Sequence, residues 1–126
     1  ERERQTRPLF KVTRIWGALV YDPASQAWSY AVAEKKKEEA RSAAIAQCRG
    51  SGGSNCTTML TYSNQCAAVA RAFEGDKFLP GQDSINTGTQ PEDAAANALE
   101  SCRTDWGRQC KVVINHCTRM QVGQVR

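Results

Sequence analysis

The sequence predicts an α+β domain. A β-β-α-β unit occurs twice, forming one antiparallel sheet of about six strands with both helices on one face, braced by disulfides. Three observations carry this reading. Cys48 to Cys66 (CRGSGGSNCTTMLTYSNQC) and Cys102 to Cys117 (CRTDWGRQCKVVINHC) share one grammar: Cys-Arg, a polar Gly-containing loop, a Cys after seven intervening residues, a β-prone run, an Asn and a third Cys. Each is preceded by an Ala-rich helical stretch, so the repeated unit spans about 50 residues. Residues 15–32 alternate as a hairpin. A chain of 126 residues buries one core comfortably and two poorly, so both copies should share it.

Residues 1–14 carry a net charge of +3 and contain Pro8, which predicts a flexible basic arm. The domain proper is expected over 15–117, as repeats 15–66 and 67–117, followed by a basic tail over 118–126. Ile15 to Tyr21 reads as a strand, Asp22-Pro23-Ala24-Ser25 as a turn, and Ala27 to Val32 as the return strand, with Trp28, Tyr30 and Val32 on one face. Glu34 to Gln47 is a helix without Gly or Pro, and Ala40, Ala43, Ala44 and Cys48 make a narrow stripe suited to a sheet. Lys35-Lys36-Lys37 fan around a helical turn, which is a solvated face rather than a nucleic-acid site.

Gly50, Gly52 and Gly53 release the chain into Thr57–Tyr62, the third strand. This loop runs helix to strand and lacks the Lys-Ser/Thr ending of a phosphate-binding loop. Cys66 to Phe73 is the fourth strand, and Phe78 to Thr87 contains a short fifth. Thr89-Gln90-Pro91-Glu92 matches a capping box, and Ala94, Ala95, Ala98 and Cys102 repeat the small-residue stripe. Arg103 to Gln109 is expected as a loop and Lys111 to Asn115 as the sixth strand.

Six cysteines, none closer than seven positions to the next, favour disulfides over zinc and therefore an oxidising compartment. Fifteen pairings are open to six cysteines. The repeat favours Cys48–Cys56 and Cys102–Cys110 closing the helix-to-strand loops, with Cys66–Cys117 bonding across the two copies of a shared sheet. The chain opens at Glu1, and removal of a signal peptide is expected. No apolar run approaches the length of a membrane span.

Catalytic chemistry is sparse. His116 is the sole imidazole, it sits beside Cys117, and Gln65 holds the matching place in the first copy, so a structural histidine is the expectation. Glu38–Glu39 and Glu92–Asp93 fall on exposed helix positions. No metal-ligand spacing or cofactor fingerprint appears in the sequence, so neither is expected. Exposed Arg103, Trp106 and Arg108 are candidates for partner contacts, being residue types enriched at binding hot spots. Trp106 has a plainer reading as the cover of the Cys102–Cys110 loop.

Trp16-Gly17-Ala18 with Tyr21, the Ala-rich helix, Cys48, Cys56 and Asn64-Gln65-Cys66-Ala67-Ala68-Val69-Ala70 resembles the exported bacterial family catalogued as domain of unknown function 4189. The resemblance implies export and a small disulfide-bonded domain, and carries over no catalytic residue. The functional expectation is a non-enzymatic periplasmic or secreted binding protein. It would cap a protein partner, as an immunity protein or an inhibitor of a toxin or hydrolase does. No specific nucleic-acid partner is expected. An adhesive or structural envelope role, a small-ligand carrier and an envelope enzyme stand as the alternatives.

Overall fold

The computed structural model describes residues 10–118 and 121–124. Eight strands and two helices follow one another as β1 (Phe10–Thr13), β2 (Trp16–Asp22), β3 (Ala27–Glu34), α1 (Lys37–Gly50), β4 (Thr57–Ser63), β5 (Cys66–Glu74), β6 (Lys77–Gly88), α2 (Pro91–Trp106), β7 (Gln109–Cys117) and β8 (Gln121–Gln124). Of the expected arm and tail, residues 10–13 pair antiparallel with 121–124 as a two-stranded ribbon. Residues 1–9 of the arm lie outside the described residues.

The expected single sheet is two. One has the order β3-β2-β4 and the other β6-β5-β7, and every pairing is antiparallel. Their pairing patterns correspond. Leu19 stands opposite Leu60 and Val69 opposite Ile114, with a register break directly after each pair. The expectation of both helices on one face is corrected too. Ala18 and Val20 on β2 pack outward against Ala40, Ala44 and Cys48 of α1. Ala68, Ala70 and Ala72 on β5 pack against Ala94, Ala98 and Cys102 of α2. The alternate side chains, Leu19 and Tyr62 from the first sheet with Ala67 and Val69 from the second, form a third cluster between the sheets. The order of layers is therefore helix, sheet, sheet, helix.

Both central strands are buried on both faces, because a side-chain period of two sends successive residues to opposite layers. Small residues make this possible. Cross-strand from Tyr62, Gly17 leaves room for the phenol: a Cβ there would stand 2.8 Å from Tyr62 Cζ. Burial, and to a lesser degree Tyr30, pushes the Tyr62 phenol up to about 12.

Helix limits differ from the sequence reading for local reasons. α1 starts at Lys37 rather than Glu34, because β3 runs on until Glu34 pairs with Trp16. The capping box at α2 does not form. Pro91 at the first helical position restricts the residue before it, so Gln90, extended at φ −123 and ψ 159, is the N-cap without a side-chain bond. Thr89 Oγ1 instead donates to Asp93 Oδ2 at 3.2 Å. At the other end α2 continues through Arg103–Trp106, expected as loop, until Gly107 takes a left-handed conformation and donates its N–H to Arg103 O. The expected short fifth strand is a twelve-residue β6 whose polar side chains face α2: Ser84 Oγ donates to Asp105 Oδ2 and Asn86 Nδ2 to Ser101 Oγ, both at 2.8 Å.

Three disulfides join Cys48–Cys56, Cys66–Cys117 and Cys102–Cys110. The two short ones fasten each helix end to the following strand. The third does not bridge the two units: Cys66 opens β5 and faces Cys117 at the end of β7, so the bond lies inside the second sheet. The matching cross-strand pair in the first sheet is Trp16 and Ser63. Asp22 fastens the β2–β3 turn to the Cys48–Cys56 loop. It accepts from Ser25 Oγ at 2.7 Å, which chiefly holds its carboxyl below the usual range, and from the Asn55 N–H at 3.0 Å.

Candidate binding surface

The two sheets meet at one end through a polar cluster on Asp83. In the first sheet Tyr21 pairs with Trp28, and in the second Arg71 pairs with Asp83. The Trp28 indole N–H donates to Asp83 Oδ2 at 2.6 Å across the layers. Arg71 donates twice to the same carboxylate, at 2.6 and 2.9 Å, and once to Gln26 O at 3.1 Å. The Asp83 hydrogen bond raises the Arg71 guanidinium further, outweighing burial. Tyr21 packs on Trp28 with ring centroids 4.9 Å apart, and burial first, then Asp83, pushes its phenol up.

Beyond this cluster the β5–β6 hairpin carries aromatic rings out to solvent. Phe73 meets Phe78 edge-on at 6.3 Å, and Lys111 Nζ lies 4.8 Å from the Phe73 ring. Phe78 remains 46% exposed, among the most open of the large apolar side chains described. An apolar ring on a paired strand with a cation over its neighbour is preformed for contact, since little conformational freedom is left to lose on binding.

Two of the three sequence-named candidates reach the same hairpin. Trp106 ends α2, is 40% exposed, and donates its indole N–H to Asp83 O at 3.2 Å. Arg108 Nη1 lies 3.3 Å from Glu74 Oε1. Arg103 is exposed on the last turn of α2. Sequence reading missed Phe73, Phe78, Lys111 and the Asp83 cluster. The signal available was the Phe73–Phe78 spacing around Gly75, which marks facing residues of a hairpin.

His116 stands away from this surface, on β7 opposite Ala67. Its ring stacks on Tyr30 from the other sheet at a centroid distance of 3.7 Å. Cys117 beside it is in a disulfide. Among the described residues, no group of three or more His, Cys, Asp or Glu side chains is placed to hold a metal ion.

Burial lowers the His116 imidazole from its ordinary 6.5. As pH falls through 6.5 the unfolded chain takes up the proton before the folded one. The His116 contribution to stability is therefore present above that value and is lost progressively down to the lower folded value. His116→Phe keeps a ring on Tyr30 and removes the titration. Its melting temperature is expected to fall less than that of wild type between neutral and mildly acidic pH, as calorimetry would show.

A family model described as Domain of unknown function (DUF4189) matches residues 16–117. No curated protein and no solved structure matches the chain.

Proposed function

The chain belongs to the family of domain of unknown function 4189, and from that premise we propose a non-enzymatic exported binding protein that caps a protein partner. The partner is a toxin or hydrolase, which the chain neutralises as an immunity protein or inhibitor. The observation that carries this reading is the hairpin face of Phe73, Phe78 and Lys111, with Trp106 and Arg108 fastened to the same hairpin. Aromatic and Arg side chains held rigidly and half exposed are what a capping surface uses as anchors. Three disulfides fit an oxidising environment outside the cytoplasm, and no helix among the described residues is long and apolar enough to cross a membrane. Periplasm or secretion both satisfy this. Descent of the two units from one duplicated segment accounts for their common strand order, with the second unit specialised by its longer hairpin.

Affinity capture from envelope extracts of the native host tests the reading, with Phe78→Ser/Trp106→Ala as the comparison bait. One protein is expected to be retained by wild type and lost from the folded variant. Equal retention by both baits would reject this surface. A catalytic turnover that disappears in folded His116→Ala would reject the non-enzymatic reading.

A further inference from the structure

We infer that the second unit carries a saccharide-binding groove between β6 and α2, shaped by its chemistry for an uncharged glycan chain. This site goes beyond the hairpin reading and does not depend on it. The groove, of about 480 Å³, is lined by Asn86, Asn97, Glu100, Ser101, Thr104 and Asp105. Every one of these side chains is polar, and none is a cation.

The first unit shows that the fold does not require this polarity. Ala40, Ala44 and Cys48 of α1 pack on their sheet as Ala94, Ala98 and Cys102 of α2 pack on theirs. Counted along the helices from those matched residues, Ala43, Ala46 and Gln47 correspond to Asn97, Glu100 and Ser101. On the strands, Ala31 stands opposite Ala18 where Asn86 stands opposite Ala68. Ala31, Ala43, Ala46 and Gln47 line a groove of about 610 Å³ at the same place, between β3 and α1. Three alanines at the first strand–helix seam are thus two amides and a carboxylate at the second.

The groups of the second groove are oriented in advance. Asn86 Nδ2 donates to Ser101 Oγ at 2.8 Å, and Asn86 Oδ1 accepts from the Thr87 N–H at 2.9 Å. Asn97 Nδ2 donates to Thr87 O at 2.9 Å, and Asp105 Oδ2 accepts from the buried Ser84 hydroxyl at 2.8 Å. Among the described residues these bonds leave Asn97 Oδ1 and Asp105 Oδ1 as acceptors and the Ser101 hydroxyl as a donor. Exposed Glu100 and Thr104 add a carboxylate and a hydroxyl. Two carboxylates without a cation repel an anionic ligand, and a lining without apolar side chains gives no purchase to a greasy one. From Asn97 to Asp105 the helix offers such groups over about 12 Å, at 1.5 Å per residue. An ammonium ion, being a point charge, meets only one end of that line. Sugar hydroxyls donate and accept along its whole length. Trp106 follows Asp105 and donates to Asp83 O, one residue before Ser84, which sets its 40% exposed ring at that end of the groove. The negative π face of the indole suits the C–H face of a pyranose.

Amide correlation NMR of the isotope-labelled full chain is the test, with chitotetraose, cellotetraose and maltotetraose each raised to millimolar concentration. At least one is expected to shift the Asn86 and Asn97 side-chain amides and the Trp106 indole N–H, and a galacturonic acid tetramer is expected to shift none of them. Asn97→Ala/Glu100→Ala installs the alanines of the first unit at exposed helix positions. It is expected to weaken binding at least about tenfold with an unchanged far-ultraviolet circular dichroism spectrum, the scale of a hydrogen bond to a charged group. Should loss of the Asn97–Thr87 bond loosen α2, Glu100→Ala alone is expected to weaken binding at least about threefold. Phe78→Ser is expected to bind as wild type does, which separates this site from the hairpin face. No shift at the groove from any of the three neutral tetrasaccharides would overturn the inference, and a shift there from spermidine alone would mark a cation site instead. Equal binding of the acidic tetramer, wild-type affinity in the folded alanine variants, or loss of binding in folded Phe78→Ser would each overturn it too.

Discussion

Asp83→Ala is expected to destabilise the protein by about 3–5 kcal/mol, the scale at which removing one partner of a buried ion pair leaves the other charge uncompensated. Arg71 has a side chain only 17% exposed and Asp83 only 5%, so solvent cannot substitute for the lost carboxylate. The same change orphans the Trp28 indole N–H, which has its bond to Asp83 from the opposite sheet. The cost therefore combines a stranded guanidinium with a lost link between layers. Urea denaturation reads it as a lower midpoint at unchanged slope. Replacing Trp28 by Phe should cost much less, because the ring on Tyr21 is kept and only one hydrogen bond is lost. Equal losses for the two variants would mean that the ion pair contributes nothing beyond packing.

Cys66→Ala/Cys117→Ala is the other large effect. The bond closes a loop of sequence separation 51, and in the chain-entropy treatment its removal costs about 4 kcal/mol by freeing the unfolded chain. Cys48–Cys56 and Cys102–Cys110 close loops of separation 8, and the same treatment gives each about 2–3 kcal/mol. Paired substitutions compared under non-reducing conditions should keep that order in their denaturation midpoints. A smaller loss from the long loop than from either short one would show that the Cys66–Cys117 link contributes little to holding β5 and β7 in register.

Much of this was legible in the residues. The disulfide partners followed from the repeated cysteine spacing, and both helices from their stripes of Ala and Cys. What misled was the number of faces each central strand buries. Ala18-Leu19-Val20 and Ala67-Ala68-Val69-Ala70 are continuous apolar runs, the pattern of a strand covered on both sides, whereas a single sheet with both helices on one face covers only one side from within the domain. A second sheet, not solvent, covers the other side. The Asp83 cluster was beyond sequence reading because Trp28 and Asp83 are 55 positions apart and meet only once the layers stack. Arg103 to Gln109 reads as a loop, but nothing before Gly107 breaks the helix, so α2 continues through Trp106. Trp106 and Arg108, named from the sequence, both touch the β5–β6 hairpin, whereas exposed Phe78 lies in a strand whose polar pattern conceals it.

The central claim is that the β5–β6 hairpin face carries the contact with a protein partner. Titration calorimetry of the captured partner against wild type and against Phe78→Ser measures this most directly. An anchor of hot-spot strength contributes at least about 2 kcal/mol, so affinity is expected to drop at least about 30-fold while the variant keeps its fold. An affinity within about twofold of wild type, which is within the spread of energetically neutral contacts, would contradict the claim.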